Sequence, residues 1–229
     1  MLSFWLSNEH LTFPPAHLAE AEGVLAIGGD LSPERLLTAY RIGIFPWFNP
    51  NEPILWWCPD PRFVLYPDQL KVSKSMRPYF NKNKFTITID QHFEQVMTLC
   101  GQQYRPGQNG TWITDDMIDG YTTLHKQGYA HSVEVWQDET LVGGLYGISL
   151  GKVFFGESMF SKVSNASKFG FISLVRLLQD RGFWLIDCQQ ETQHLASLGA
   201  ESISRDHFLE ILKRNEKEKS IMGSWSTWV

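Results

Sequence analysis

The chain has 229 residues, 43% of them hydrophobic, with 20 basic against 25 acidic side chains and a net charge of −5. At about 150 residues per domain this is one large domain or two unequal ones, long enough to bury a core without staples. The composition excludes a disordered or fibrous chain and argues against a generic polyanion binder, whose footprint is basic overall. Cys58, Cys100 and Cys188 stand at wide spacing with no CxxC pair, the pattern of a reduced compartment. The N-terminal stretch lacks the basic region and apolar length of a signal peptide, and no apolar run approaches the roughly 18–20 residues of a membrane span. A cytoplasmic protein with no membrane partner is expected.

Residues 1–62 hold eight of the 11 prolines and read as a small, aromatic-rich N-terminal domain. Gly28-Gly29-Asp30 makes a turn. Ser32 as N-cap, Pro33 at the first helical position and Glu34 in the first turn start a helix that runs through Tyr40 and ends near Gly43. A larger domain over 63–229 follows. It opens with a β-branched and aromatic strand over 85–89. Phe93, Val96, Met97 and Cys100 then fall at helical spacing, as do Ile118, Tyr121, Thr122 and His125. Segments 131–137, 140–150 and 152–160 read as strands separated by tight turns. A helix over 165–180 closes at Gly182, a strand spans 183–189, and a charged helix covers 206–219. The order implies an α/β (α+β) fold with a central antiparallel meander. The tail Trp225-Ser226-Thr227-Trp228 fits none of these patterns.

Phosphate-loop, dinucleotide, zinc-protease and nucleophile-elbow motifs are absent. Glu191-x-x-His194 is half of a carboxylate-bridged metal motif without its second half, so no metal is expected. Three local constellations remain. On a strand, Asp187 and Gln189 share a face while Ile186 and Cys188 take the other. A carboxylate beside an amide at a strand end can hold and polarise a reacting group, or the aspartate simply caps the next turn. Cys188 lacks a base and is not read as a nucleophile. Glu157, within Phe154-Phe155-Gly156-Glu157-Ser158-Met159-Phe160, is costly in so apolar a strand unless it is paired or faces a cleft. Phe171, Leu174 and Leu178 lie on one helix face, which is a core face or the wall of an apolar pocket. Between Asp68 and Asp90 stand Lys71, Lys74, Arg77, Lys82 and Lys84 and no acid. That stretch is a phosphate-binding candidate or an ordinary solvated face. Trp47, Trp56, Trp57 and Trp112 are core residues or flat platforms for a nucleobase.

Taken together these stretches resemble the bacterial leucyl/phenylalanyl-tRNA–protein transferases. The resemblance rests on Gly28-Gly29-Asp30-Leu31-Ser32-Pro33, Gly43-Ile44-Phe45-Pro46-Trp47-Phe48, Leu55-Trp56-Trp57-Cys58-Pro59-Asp60-Pro61-Arg62 and Gly110-Thr111-Trp112-Ile113. It continues through His131-Ser132-Val133-Glu134-Val135-Trp136, Leu141-Val142-Gly143-Gly144-Leu145-Tyr146-Gly147, Gly156-Glu157-Ser158-Met159-Phe160-Ser161 and Asn165-Ala166-Ser167-Lys168. It ends with Leu185-Ile186-Asp187-Cys188-Gln189 and His194-Leu195-Ala196-Ser197-Leu198-Gly199-Ala200. It implies a small N-terminal domain on a larger one resembling the GNAT acetyltransferases. It also implies transfer of Leu, Phe or Met from aminoacyl-tRNA to the N-terminal Arg or Lys of a protein, which marks that protein for N-end rule degradation. No cofactor is implied, and a monomer is expected.

The resemblance also distributes roles. Trp47 and Trp112 would flank the terminal adenosine. Leu145, Met159, Phe171, Leu174, Leu178 and Ile186 would form the amino-acid pocket. Lys71, Lys74, Arg77, Lys82 and Lys84 would meet the tRNA acceptor stem. Asp187 with Gln189 would orient and deprotonate the amine, and Glu157 would take the cationic acceptor. Cys58 stands where the family has Ser, and Pro78 and Asn81 stand where it has bases. A GNAT enzyme using acetyl-CoA is the main rival, but its [QR]-x-x-G-x-[GA] spacing is absent; in Arg105-Pro106-Gly107-Gln108-Asn109-Gly110 the glycines are out of register. A non-catalytic tRNA- or peptide-binding module is the second rival, against which Asp187, Gln189 and Glu157 count.

Overall fold

The structure is a computed structural model that describes residues 4–82, 84–103 and 111–229. Gly110 and the stretch 105–110 lie outside the described residues. Among the described residues no helix is long and apolar enough to cross a membrane.

The N-terminal part builds a small sheet from β1 (Phe4–Leu6), β2 (Val24–Gly28), β3 (Phe45–Pro46) and β4 (Leu55–Trp57), in the order β1-β2-β4-β3. Between β2 and β3 lies α1 (Pro33–Arg41), with Pro33 in its first turn. Ser32 occupies the cap position, but its side chain makes no cap bond. Instead the Asp30 carboxylate accepts from the Ser32 amide at 2.8 Å, so the turn aspartate closes the segment. Trp56 is fully buried and donates to the Gly28 carbonyl at 2.8 Å, which makes it core rather than platform.

The large sheet has seven strands in the order β11-β5-β10-β9-β8-β7-β6. They are β5 (Arg62–Leu65), β6 (Thr86–Ile89), β7 (Ala130–Gln137), β8 (Thr140–Leu150), β9 (Val153–Ser161), β10 (Leu185–Gln189) and β11 (Glu201–Ile203). The expected meander is β7 to β9, all antiparallel, and β6 adds antiparallel to its β7 edge. Strand β10 then joins parallel to β9, and β5 closes antiparallel on β10. Mixed α/β architecture follows from burying both sheet faces. On one face, α3 (Phe93–Gln102) and α4 (Asp115–Lys126) pack with α1 and α7 (Arg205–Asn215) around Tyr146, Phe155 and Phe160. On the other, α5 (Ala166–Asp180) packs on Val133, Val135, Leu145 and Phe154. Two short helices, α2 (Arg77–Asn81) and α6 (Gln193–Ala196), edge this layer.

The C-terminal tail is docked. Trp225 is buried, its amide donates to Asp90 at 2.7 Å, and its ring stacks on His131 at 3.5 Å between centroids. Trp228 stacks on Trp225, with the Arg181 guanidinium over its outer face.

Glycines in β8 let the layers approach. A methyl group at Gly147 would overlap the Phe155 carbonyl oxygen and stand 2.6 Å from the Phe154 ring. Backbone and ring are both packed there, so neither yields cheaply. Gly147→Ala is expected to cost about 1–3 kcal/mol, read as a lower urea midpoint at unchanged slope.

Candidate active site

Glu157 owes its direction to a β-bulge. Tyr146 pairs with Ser158, but the next residue, Gly147, pairs with Gly156, which leaves Glu157 as the extra residue of β9. An extra residue breaks alternation and re-aims a side chain. Gly156, Glu157, Ser158 and Met159 accordingly line one cavity in succession. Strand β10 carries a matching irregularity. Asp187 pairs with Val64 and Gln189 with Phe63, so Cys188 is the extra residue. Gln189 takes a left-handed backbone at φ 63, uncommon for a residue with a side chain. The parallel pairing of β9 with β10 ends at Asp187 opposite Phe155, and the cavity lies just beyond that point. The strict alternation expected for 186–189 therefore fails, and all four residues border the cavity.

The cavity holds about 280 Å³. Its apolar wall comes from Leu145, Met159, Phe171 and Ile186, and half-buried Trp47 and Trp112 stand on its border. Leu174 and Leu178 are not in the lining; both are buried in the core with α5. The shared helix face runs on past the cavity, so only its first member, Phe171, reaches it.

At the polar end, Asp187 is fully buried and clamped. Arg62 Nε donates to Oδ1 at 2.8 Å and Arg62 Nη2 to Oδ2 at 2.6 Å. The Gln189 amide adds a bond to Oδ1 at 2.9 Å. The guanidinium sits between the rings of Phe45 and Phe208, 4.8 and 4.5 Å from their centroids. Glu157 is held differently. Tyr121 donates to Oε2 at 3.1 Å and Gln189 Nε2 to Oε1 at 3.0 Å. Burial pushes the Glu157 carboxyl up to about 7; the Tyr40 and Tyr121 hydroxyls oppose the rise, the Asp187 charge adds to it and Arg62 offsets it. Burial, reinforced by the Glu157 charge, holds both phenols well above the usual tyrosine value, so they stay protonated. Burial likewise raises the Cys188 thiol, a poor nucleophile.

Lys71, Lys74, Arg77, Lys82 and Lys84 are all exposed. The Lys84 ammonium lies 5.1 Å from the Tyr79 ring centroid. This strip is tied to the α6 side of the cavity: the Lys71 amide donates to Leu198, and Tyr79 accepts from Asn165 of the loop before α5. Arg62, Tyr40 and Tyr121 have no role in the sequence expectations, because each finds its polar partner far along the chain.

Removing one member of a buried ion pair leaves an uncompensated charge. Arg62→Ala is expected to cost about 3–5 kcal/mol, and the paired change Arg62→Met with Asp187→Leu to regain most of it, by urea unfolding. Glu157 ties stability to pH. Its folded value of about 7 lies above the ordinary 4.5, so folding disfavours ionisation and stability drains as pH rises through that window. Relative to the parent, Glu157→Gln is expected to gain about 1–3 kcal/mol between about pH 5 and about pH 8. A stability difference constant with pH would contradict the raised value.

A family model described as leucyl/phenylalanyl-tRNA protein transferase matches residues 64–213, and one for its N-terminal domain matches 29–60. Curated relatives named leucyl/phenylalanyl-tRNA--protein transferase include one from Flavobacterium johnsoniae, 61% identical over 89% of this chain and 96% of its own. Another, from Syntrophus aciditrophicus, is 55% identical over 95% and 91%. A third, from Pseudomonas fluorescens, is 52% identical over 98% of each chain. Among solved structures, an aminoglycoside N-acetyltransferase in complex with CoA aligns with TM-score 0.36 at 14% identity, over 61% of this chain and 92% of its own. The chain belongs to the leucyl/phenylalanyl-tRNA–protein transferase family.

Proposed function

We propose that this chain transfers Leu, Phe or Met from the 3′ end of aminoacyl-tRNA to the α-amine of a protein that begins with Arg or Lys, the modification that N-end rule degradation reads. Family membership supports the reaction class. The observation that carries the assignment of roles is that one cavity joins an apolar wall, a border of two tryptophans and an acidic end. Leu145, Met159, Phe171 and Ile186 take the amino-acid side chain. Such a wall favours Leu, Phe and Met over polar residues and separates similar aliphatics by only about 1–3 kcal/mol per methylene. Trp47 and Trp112 flank the adenine, a contact worth roughly 1–3 kcal/mol per base. The exposed basic strip meets phosphates, so a net-acidic protein grips the tRNA locally.

The reaction is aminolysis of an ester that is already activated, so positioning supplies much of the rate. The acceptor arrives as an ammonium with an ordinary value of about 7.7–8.0 and must lose a proton before it attacks. Glu157 and Gln189 border the space where that amine would sit. Asp187 is clamped by Arg62, and its role is to hold Gln189 and the strand end in place.

The direct test is transfer of labelled Leu from Leu-tRNA to peptides beginning with Arg or Lys. Transfer to both is expected, and failure with both by a folded sample would contradict the reading. Replacing Lys74 and Lys82 by Ala is expected to weaken tRNA binding and flatten log K against log salt by about 1–2; an unchanged slope would remove the strip from the tRNA footprint.

A further inference from the structure

The two carboxylates at the polar end differ in what their partners permit. Asp187 is met by Arg62 and by the Gln189 backbone amide. These groups only donate, so they suit the ionised form alone. Glu157 is met by hydroxyls. The Tyr121 hydroxyl lies 3.1 Å from Oε2 and 2.5 Å from the Tyr40 hydroxyl. A hydroxyl rotates to donate or accept. With Glu157 ionised, Tyr121 donates to it and Tyr40 donates to Tyr121. With Glu157 protonated, the carboxyl donates to Tyr121, Tyr121 donates to Tyr40, and Oε1 still accepts from Gln189 Nε2. Either charge state keeps its partners in place.

We infer that Glu157 is the catalytic residue that takes the proton of the acceptor amine and returns it to the leaving 3′-oxygen, with Tyr121 and Tyr40 as positioning residues that let it change charge without rearrangement. This rests on the transfer reading above. The amine nitrogen bonds to the ester carbonyl carbon and the carbon–O3′ bond breaks. The ammonium releases its extra proton to solvent before attack; the proton that nitrogen sheds as the new bond forms passes to Glu157 and then to O3′, so Glu157 ends ionised as it began. Its carboxyl, pushed up to about 7, suits a base working near neutral pH. The charged or titratable groups around it are Arg62 on β5, Asp187 and Cys188 on β10, Tyr121 on α4 with Tyr146 on β8 beyond it, and Tyr40 on α1. Asp187 and Cys188 cannot share the task, the first being clamped and the second held as a thiol. Tyr40 comes from the N-terminal part, so that part supplies a component of the catalytic end as well as Trp47.

The test is the pH dependence of kcat/KM for the acceptor peptide at saturating Leu-tRNA. Two acceptors whose α-amines differ by about one pKa unit separate the limb that follows the amine from the limb that belongs to the enzyme. Tyr121→Phe and Tyr40→Phe remove donors that favour the carboxylate, so each is expected to move the enzyme's acidic limb upward. A move of about one unit reads as about tenfold lower activity near pH 6, recovered by about pH 9. Glu157→Gln is expected to abolish the limb and to lower kcat about 10²- to 10⁴-fold with KM for Leu-tRNA unchanged. A uniform loss at every pH in both tyrosine variants, or a limb that survives Glu157→Gln, would overturn the inference. If Tyr121→Phe fails to fold, Tyr40→Phe carries the comparison. Absence of transfer by the folded parent overturns the function itself, whereas transfer with an unmoved limb overturns this inference alone.

Discussion

The Arg62–Asp187 pair joins the first strand after the N-terminal sheet to the strand that ends at the cavity, across 125 residues of sequence. Both side chains are excluded from solvent. A buried pair of this kind seldom adds much to stability, because desolvating two charges offsets most of their attraction. What it supplies is direction. The bidentate fork fixes β5 against β10 at the point where β9 and β10 stop pairing. Phe45 and Phe208 close on the two sides of the guanidinium, so the small sheet and the C-terminal helix α7 meet the same charge. If the pair shifted, Gln189 would lose the Asp187 bond that steadies its left-handed backbone, and with it the amide that reaches Glu157.

Given that anchor, the two bulges divide the labour between the carboxylates. One is locked to a fixed positive charge and serves geometry. The other is turned by its bulge into a partly apolar cavity, where its partners are hydroxyls and an amide. Environments that separate two carboxylates in this way are how one site assigns different tasks to the same chemical group. The arrangement costs stability at neutral pH, a cost expected of a site built for turnover.

Long elements were legible in the sequence. Strands β7, β8 and β9 and helices α3, α4, α5 and α7 carry enough residues for their periods to show, and their bounds differ from expectation by a few residues at the ends. Strands β5 and β11 and the four strands of the small sheet span only two to five residues each, too few for any period. The polar pair Asp187 and Gln189 stood out as a carboxylate and an amide at a strand end, but the bulge at Cys188 falls between them, so strand alternation does not account for their both reaching the cavity, and Ile186 and Cys188 reach it too. Glu157 stood out by its cost in an apolar strand. Arg62, Tyr40 and Tyr121 did not, since their partners are 125, 81 and 36 residues away and no local pattern connects them. Leu174 and Leu178 show the converse: helical spacing gives a shared face, but not where along the helix the cavity ends.

Where the aminoacyl donor sits decides the roles of these residues. A structure with a non-hydrolysable leucyl-adenosine amide is expected to place the leucyl side chain among Leu145, Met159, Phe171 and Ile186, the adenine against Trp47 and Trp112, and the amide carbonyl at the Gln189–Glu157 end. A ligand bound outside this cavity, or one with its leucyl group at the Asp187 end, would contradict it.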